Sequence, residues 1–453
     1  MDLIASWIWN PLLSFMYLEI GVLFLILTGL VGWRRSFNSV KKAYRTNSPK
    51  NSAETGAISK RYITPTQAFI TALGASVGVG NLAGVSTAIH LGGPGALFWM
   101  WVSALVGMSF RMCETYFACR YQPKSSNSPS FATPMSYLDR FCTGRFAWIP
   151  IGLAVLLMVK GFFTANLIQS NSVAHAIEGE FGASSVIVAL LMAGAVGIVI
   201  LGGVRRIVDY SMKITPWMLL LYIGAGLFIL LGDIPRTLTQ LENVFKYAFQ
   251  PYSVAGGVIG YTVLQSLQYG VSRGIFSHGS GIGISPFLHA SNNSNPAHNG
   301  LIAAFVPVVD TLVICTITGL VVLSSGLWGN WNGAYLTTQA FQLTYGDGGK
   351  LLIVICLVIF AFTTMINWSY YAERCFEYLG GKKIIKFRWA FIGVTFLGPF
   401  MPVKFIWSLA DILIALVLLL HLLPLTYITL RHLGGIARDF NSVDRPDPKE
   451  KTP

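Results

Sequence analysis

The sequence predicts an all-α integral membrane protein with about eleven transmembrane helices, some of them broken. Three observations carry this. Of 453 residues, 53% are hydrophobic and 11% charged, with a mean hydropathy of +0.59, whereas charged residues make up about a quarter of an ordinary soluble chain. The apolar residues form long segments without the period-two alternation of an outer-membrane barrel, which selects helices over strands. The lysines and arginines collect in alternate connections instead of spreading evenly.

The apolar segments lie near 11–33, 65–90, 94–119, 147–177, 184–203, 214–232, 254–276, 299–326, 350–372, 389–402 and 405–430. With the N-terminus outside, the inner connections are 34–61, 111–145, 204–213, the single Arg273, 374–388 and 431–453. They hold 27 of the 32 basic residues. That bias follows the positive-inside rule, with the C-terminus cytoplasmic. The net charge of +13 is therefore a topological signal and not a nucleic-acid footprint. Residues 1–33 form a leading transmembrane helix; it is long enough to span and runs directly into Arg34 and Arg35, unlike a cleaved signal. Residues 34–63 read as a cytoplasmic loop, because Ser36 to Arg61 is polar, basic and poor in bulky side chains. Ten spans follow, dividing into 64–232 and 251–430, and 431–453 is a cytoplasmic tail. The six cysteines form no CxxC pair and read as small buried hydrophobes, without a disulfide framework or a zinc cluster.

The stretch Thr71 to Gly107 is apolar enough for a bilayer, yet Gly74, Gly78, Gly80, Gly84, Gly92, Gly93 and Gly95 interrupt it and Asn81 sits in its middle. Glycine costs about 1 kcal/mol against alanine inside a helix. Opened backbone is tolerated at membrane depth only where protein buries it or water lines it. A broken helix presents N–H groups to an anionic substrate group and freed carbonyls to a cation. Gly78 and Gly80 allow close approach to the backbone, and Asn81 offers an oxygen or an amide. The same glycines would also let helices pack tightly.

Gly92 to Gly107, GGPGALFWMWVSALVG, resembles the motif of the alanine or glycine:cation symporter family, and Val77 to Val85, VGVGNLAGV, resembles that family's broken helix. Arg273, Gly274, Phe276, Ser277, Gly281, Gly283, Pro286, His289 and Ala290 match a second family segment. Further matches run through Gln169 to Ser172, Phe305, Asp310 to Thr316, Phe360 to Thr364, Trp368 to Tyr371, and Glu373 with Arg374. Departures occur at Val79, Asn367, Ala372 and Leu420-His421. His278-Gly279-Ser280 stands where Asn-Glu-Ala is usual, so a carboxylate is missing.

The resemblance implies a LeuT-type core in which 64–232 and 251–430 are two five-helix repeats of inverted topology. It also implies symport of a small neutral amino acid such as alanine or glycine with sodium, in a prokaryotic plasma (inner) membrane, with no cofactor besides the coupling ion. By position, Gly78, Val79, Gly80, Asn81, Gln169, Phe276 and Trp368 would bind substrate, the two aromatics limiting side-chain size. Gly74, Val77, Thr363 and Thr364 would hold sodium, since a hard cation needs several oxygens. Ser76, Asp310, Glu114 and Arg374 are candidates for coupling or gating. Lys160 and Asp411 are ionisable within spans and default to functional readings. Arg111, Glu114, Glu373 and Arg374 near inner ends read as snorkelling or gate residues, and His421 as a hydrogen-bonded bystander. No HExxH or GxSxG motif supports an enzyme. Proton coupling, another substrate on the same fold, or a channel are the alternatives.

Overall fold

The computed structural model describes residues 8–28, 33–46, 63–122, 133–253, 260–290 and 295–443. Helix starts follow short polar signals ahead of apolar runs. Asn10 caps α1 (Pro11–Leu27) through Leu13 N. Thr64 and Gln67 form a reciprocal capping box for α3 (Pro65–Ser76), after α2 (Trp33–Thr46). Such a box satisfies two of the N–H groups that a helix start leaves over. The chain continues as α4 (Gly80–Gly92), α5 (Ala96–Arg120), α6 (Pro134–Phe141), α7 (Gly144–Phe181), α8 (Ser185–Ile200), α9 (Gly203–Gly232) and α10 (Ile234–Phe249).

A two-residue antiparallel ladder, β1 (Tyr252–Ser253) with β2 (Gly260–Tyr261), precedes α11 (Val263–His278). This helix opens on a second Thr-x-x-Gln box, Thr262 with Gln265. Then come α12 (Pro286–His289), α13 (Pro296–Ser325), α14 (Gly333–Tyr345), α15 (Asp347–Tyr378), α16 (Ile384–Leu397), α17 (Val403–Arg431) and α18 (Leu433–Ser442).

Among the described residues six helices, α5, α7, α9, α13, α15 and α17, are long and apolar enough to cross a membrane, and α3 with α4, bent by 53°, makes a seventh if the pair counts as one span. The shorter apolar α1 and α8, with the interrupted α11–α12 and with α16, occupy the remaining segments read from the sequence. Among the described residues the architecture is all-helical apart from the small ladder. The helices α5 and α13 are the most enclosed, and α9 is largely peripheral.

The motif Phe98-Trp99-Met100-Trp101 is a packing device. The Trp99 indole donates to Ala248 O at 3.2 Å, the Trp101 indole donates to Thr316 Oγ1 at 2.8 Å, and Phe98 packs edge-on against Phe245 and Phe249. Against the other side of α5, α11 comes so close that a Cβ at Gly270 would strike Ala96 O and one at Gly274 would strike Ser103 Oγ. Two helices sharing that contact need small residues there.

Three sequence readings change. The stretch 34–63 is not a loop throughout: Trp33–Thr46 is helical and buries Ser36, Ser39 and Ala43. These small residues recur at one helical face, so polar composition concealed a packing surface; 47–62 lie outside the described residues. In the 431–453 tail, Leu433–Ser442 is helical, with Ile436 and Phe440 buried and Asp439 ion-paired to Arg120 at 2.7 Å. Arg273 does not lie at an inner connection. It sits within α11, at the end of the molecule shared with Trp9, and pairs with Asp411 at 2.7 Å.

The α5–α11 contact gives a direct stability expectation. Gly274→Val is expected to destabilise by about 1–3 kcal/mol through overpacking, read as a lower thermal unfolding midpoint in detergent. Gly224→Ala, within α9 where a Cβ meets nothing within 4 Å, is expected not to lower the midpoint and to raise it slightly, since alanine is the better helix former.

Candidate functional site

Both interruptions lie at the centre of the structure. At Val77 the backbone turns extended (φ −72°, ψ 105°), and a π-helical turn covers Gly80–Gly84. The hydrogen bonds explain the break. Gly78 N donates to Asn81 Oδ1 at 2.8 Å, Val79 N to Gln169 Oε1 at 3.1 Å, and Asn81 N to Gly78 O at 3.1 Å. Each N–H is thereby diverted from the carbonyl four residues earlier, which frees Gly74, Ala75 and Val77 from the helical ladder. Ala75 O accepts from Trp368 Nε1 at 3.3 Å, and Val77 O from Thr364 Oγ1 at 3.2 Å.

The second interruption, Gly279–Ser285, bends on three glycines with positive φ: Gly279 (61°), Gly281 (85°) and Gly283 (81°). An L side chain is strained in this region. Glu114 Oε1 accepts from Gly281 N at 2.9 Å and Gly283 N at 3.3 Å, and His421 Nδ1 bonds Gly281 O at 2.7 Å. His278 Nδ1 accepts from Ser280 N, which leaves its Nε2 to donate to Ser103 Oγ at 3.2 Å. The segment that lacks the expected carboxylate thus has a carboxylate supplied from α5.

Two buried ionic side chains tie the breaks together. Asp310 accepts from Asn81 Nδ2 at 2.9 Å, from Ser277 Oγ at 2.8 Å and from Thr311 Oγ1 at 2.8 Å. It therefore joins the α3–α4 break to the end of α11. Arg111 donates to Ser76 Oγ at 3.1 Å and to the carbonyl of His278, joining the same two places from the other side. Arg111 and Glu114 are fully enclosed, at 1% and 0% exposure, so neither snorkels to an interface. Arg374 is remote: with Glu377 (2.7 Å), Glu373 and Arg388 it belongs to an ion-pair cluster at the far end of α15.

Between the breaks lies a cavity of about 30 Å³, bordered by Ser76, Gly78, Gly80, Lys160, Thr164, Gln169, Phe276, Thr364 and Trp368. A larger vestibule of about 710 Å³ opens beyond it at the Trp9 end. The partition is a stack of Phe276 on Trp407 (5.1 Å, 29°) beside the two-pronged Arg273–Asp411 pair (2.7 and 2.9 Å).

Among the residues expected to hold sodium, Thr364 meets Val77. Thr363 Oγ1 bonds back to Ile359 O and Phe360 O, both at 3.1 Å, the ordinary behaviour of a helical threonine. A Cβ at Gly74 would fall 2.6 Å from Thr215 Oγ1 and 3.6 Å from Thr363 Cβ, and Thr215 Oγ1 is buried without a partner. Released carbonyls and neutral hydroxyls suit a hard cation. Among the described residues no group of three His, Cys, Asp or Glu offers a site for a softer metal.

Sequence reasoning did not place Lys160, Thr164, Thr215 or Ser277 at the site. The π turn Phe163–Leu167 adds one residue to the helix repeat, so spacings of four and then five bring Lys160, Thr164 and Gln169 onto one face. A strict 3.6-residue period hides this.

Comparison with known proteins identifies the family and the fold. Residues 1–451 match the model of the sodium:alanine symporter family. The chain is 38% identical over 364 residues to an uncharacterized transporter of Haemophilus influenzae, covering 79% of each. It is 35% identical over 419 residues to the sodium/alanine symporter AgcS of Methanococcus maripaludis, covering 90% of each. Among solved structures, MhsT in complex with L-phenylalanine superposes with a TM-score of 0.55 at 14% identity, over 84% of this chain and 99% of that one, a likeness of LeuT-type fold alone. With the whole chain matched, this integral membrane protein belongs to the sodium:alanine symporter family, a family of transporters and not of enzymes.

Proposed function

We propose that the protein imports a small neutral amino acid, such as alanine or glycine, by symport with sodium through alternating access in a prokaryotic plasma membrane. The observation that carries this reading is the α3–α4 break. Its diverted N–H groups and freed carbonyls converge with Gln169 and Thr364 on one small enclosed cavity. The Gly80 N–H, and those of Gly78 and Val79 once Asn81 and Gln169 release them, would face the substrate carboxylate, and Val77, Thr364 and Gly74 would face the ion. Phe276 and Trp368 bound the remaining volume, which favours a short side chain. AgcS, named as a sodium/alanine symporter, supports the same substrate and ion.

Sodium is preferred to a proton because Asp310 already accepts three hydrogen bonds, the pattern of a carboxylate held in place by its neighbours. The repeats at 64–232 and 251–430 would rock about this centre. The N-terminus would lie outside and the basic connections inside; moving Arg273 to the vestibule end leaves that bias intact.

The defining experiment is uptake of labelled alanine and glycine into proteoliposomes with and without an inward sodium gradient. Sodium-stimulated, saturable uptake is expected, and uptake indifferent to sodium would remove the symport reading. In that assay Thr364→Ala is expected to raise the half-saturating sodium concentration about tenfold, the loss of one coordinating oxygen contributing about 1.4 kcal/mol. The half-saturating alanine concentration should move far less; equal movement of both would take Thr364 out of the ion site. Trp368→Ala is expected to admit larger side chains, seen as competition by valine or leucine that the parent protein resists.

A further inference from the structure

The cavity wall carries a cation that symport of alanine does not use. Lys160 is 5% exposed and lies within an apolar span, where an ionisable group is costly and needs a partner. Its Nζ reaches Thr164 Oγ1 at 3.2 Å, and Thr164 Oγ1 in turn donates to Lys160 O at 2.9 Å. The ammonium also sits over the face of Trp368, 4.0 Å from the ring centroid. Among the described residues no carboxylate lies within ion-pairing distance of it. An ammonium has three donors. One is taken by Thr164 and the ring face attracts the charge from one side, while the residue itself lines the cavity.

The cavity therefore has two chemically different ends. At one end Gly78, Gln169 and Thr364 crowd together: a Cβ at Gly78 would lie 2.6 Å from Thr364 Oγ1 and 3.3 Å from Gln169 Oε1. At the other end are Lys160, Thr164 and Trp368, with the Trp368 indole fixed on Ala75 O. Along α7 Thr164 lies one turn and Lys160 two turns before Gln169, so an amino acid with its main-chain groups at the glycine end would direct its side chain toward Lys160.

Resting on the transport reading above, we propose that Lys160 is a specificity-determining residue that selects amino acids with a short side chain ending in an oxygen acceptor. A hydroxyl or carbonyl oxygen two bonds beyond Cα would accept from Nζ. A methyl group there would leave a desolvated N–H facing hydrocarbon, the arrangement by which polar sites discriminate most strongly.

The test is competition against sodium-driven uptake of labelled alanine in proteoliposomes, using the near-isosteric pair serine and 2-aminobutyrate, which differ by hydroxyl for methyl. Serine is expected to half-inhibit at a concentration about tenfold or more below that of 2-aminobutyrate. Lys160→Met, which keeps length and removes the donor, is expected to bring the two within about threefold of each other, as serine loses its donor and 2-aminobutyrate no longer faces an unpaired N–H. Lys160→Arg, which retains donors, is expected to keep serine ahead. Serine no better than 2-aminobutyrate in the unaltered protein overturns the proposal without any variant, so misfolding of a mutant cannot shelter it. A serine preference undiminished in an active Lys160→Met protein overturns it as well. Absence of sodium-driven uptake of any amino acid overturns the transport reading, and this proposal with it.

Discussion

Backbone opened inside a membrane has to find partners within the protein, and that requirement organises this molecule. Water cannot satisfy a stray N–H or carbonyl in hydrocarbon, and each unsatisfied group costs several kcal/mol. Around Val77 the partners come from three other helices: Gln169 from α7, Thr364 and Trp368 from α15, and Asp310 acting through Asn81 from α13. Around Gly281 they come from Glu114 on α5 and His421 on α17. A break of this kind cannot form alone. The two breaks together draw on five partner helices, three at the first and two at the second, so packing and site geometry are specified together.

The two ionic residues between the breaks differ in what they restrain. Asp310 is shared by Asn81 on the first broken helix and Ser277 on the second, so it couples their positions through short bonds to neutral donors. Arg111 grips Ser76 and the His278 carbonyl on the opposite side of the cavity. Toward the vestibule the site is closed by an aromatic stack and the mostly buried Arg273–Asp411 ion pair, and buried ties of this kind are costly to break singly.

The sequence displayed the membrane class, the order of spans and the position of the first break, because all three are written in hydropathy, charge and glycine spacing. It concealed features that depend on partners distant in the chain. Arg111 and Glu114 fall near the end of an apolar segment, where snorkelling is the ordinary expectation; only the arrival of α11 and the Gly279–Ser285 turn encloses them. Arg273 was read as an inner basic residue because one arginine in a gap between apolar runs looks like a loop, and its partner Asp411 lies 138 residues away. The helix Trp33–Thr46 escaped notice for a different reason. Its buried face is serine and alanine, which pack well against another helix but do not register as hydrophobic.

Lys160 shows why the substrate end was harder to read than the backbone end. The glycine pole is local: Gly78, Gly80 and Asn81 lie within four residues, and the break follows from their chemistry. The opposite pole is assembled from α7 and α15 across a π turn that shifts the helical register, and its one charged member sits in an otherwise apolar run. Taken alone, a lysine there reads as an awkward span residue. Placed over Trp368 and beside Thr164, it gives the cavity a polarity that its glycine end does not share. On the proposed reading, the main-chain groups common to every amino acid would be met chiefly at the broken helix, and the side chain at Lys160, Thr164 and Trp368. Substitutions on the lysine side can therefore alter which amino acid is accepted while the broken helix that holds its common part stays as it is.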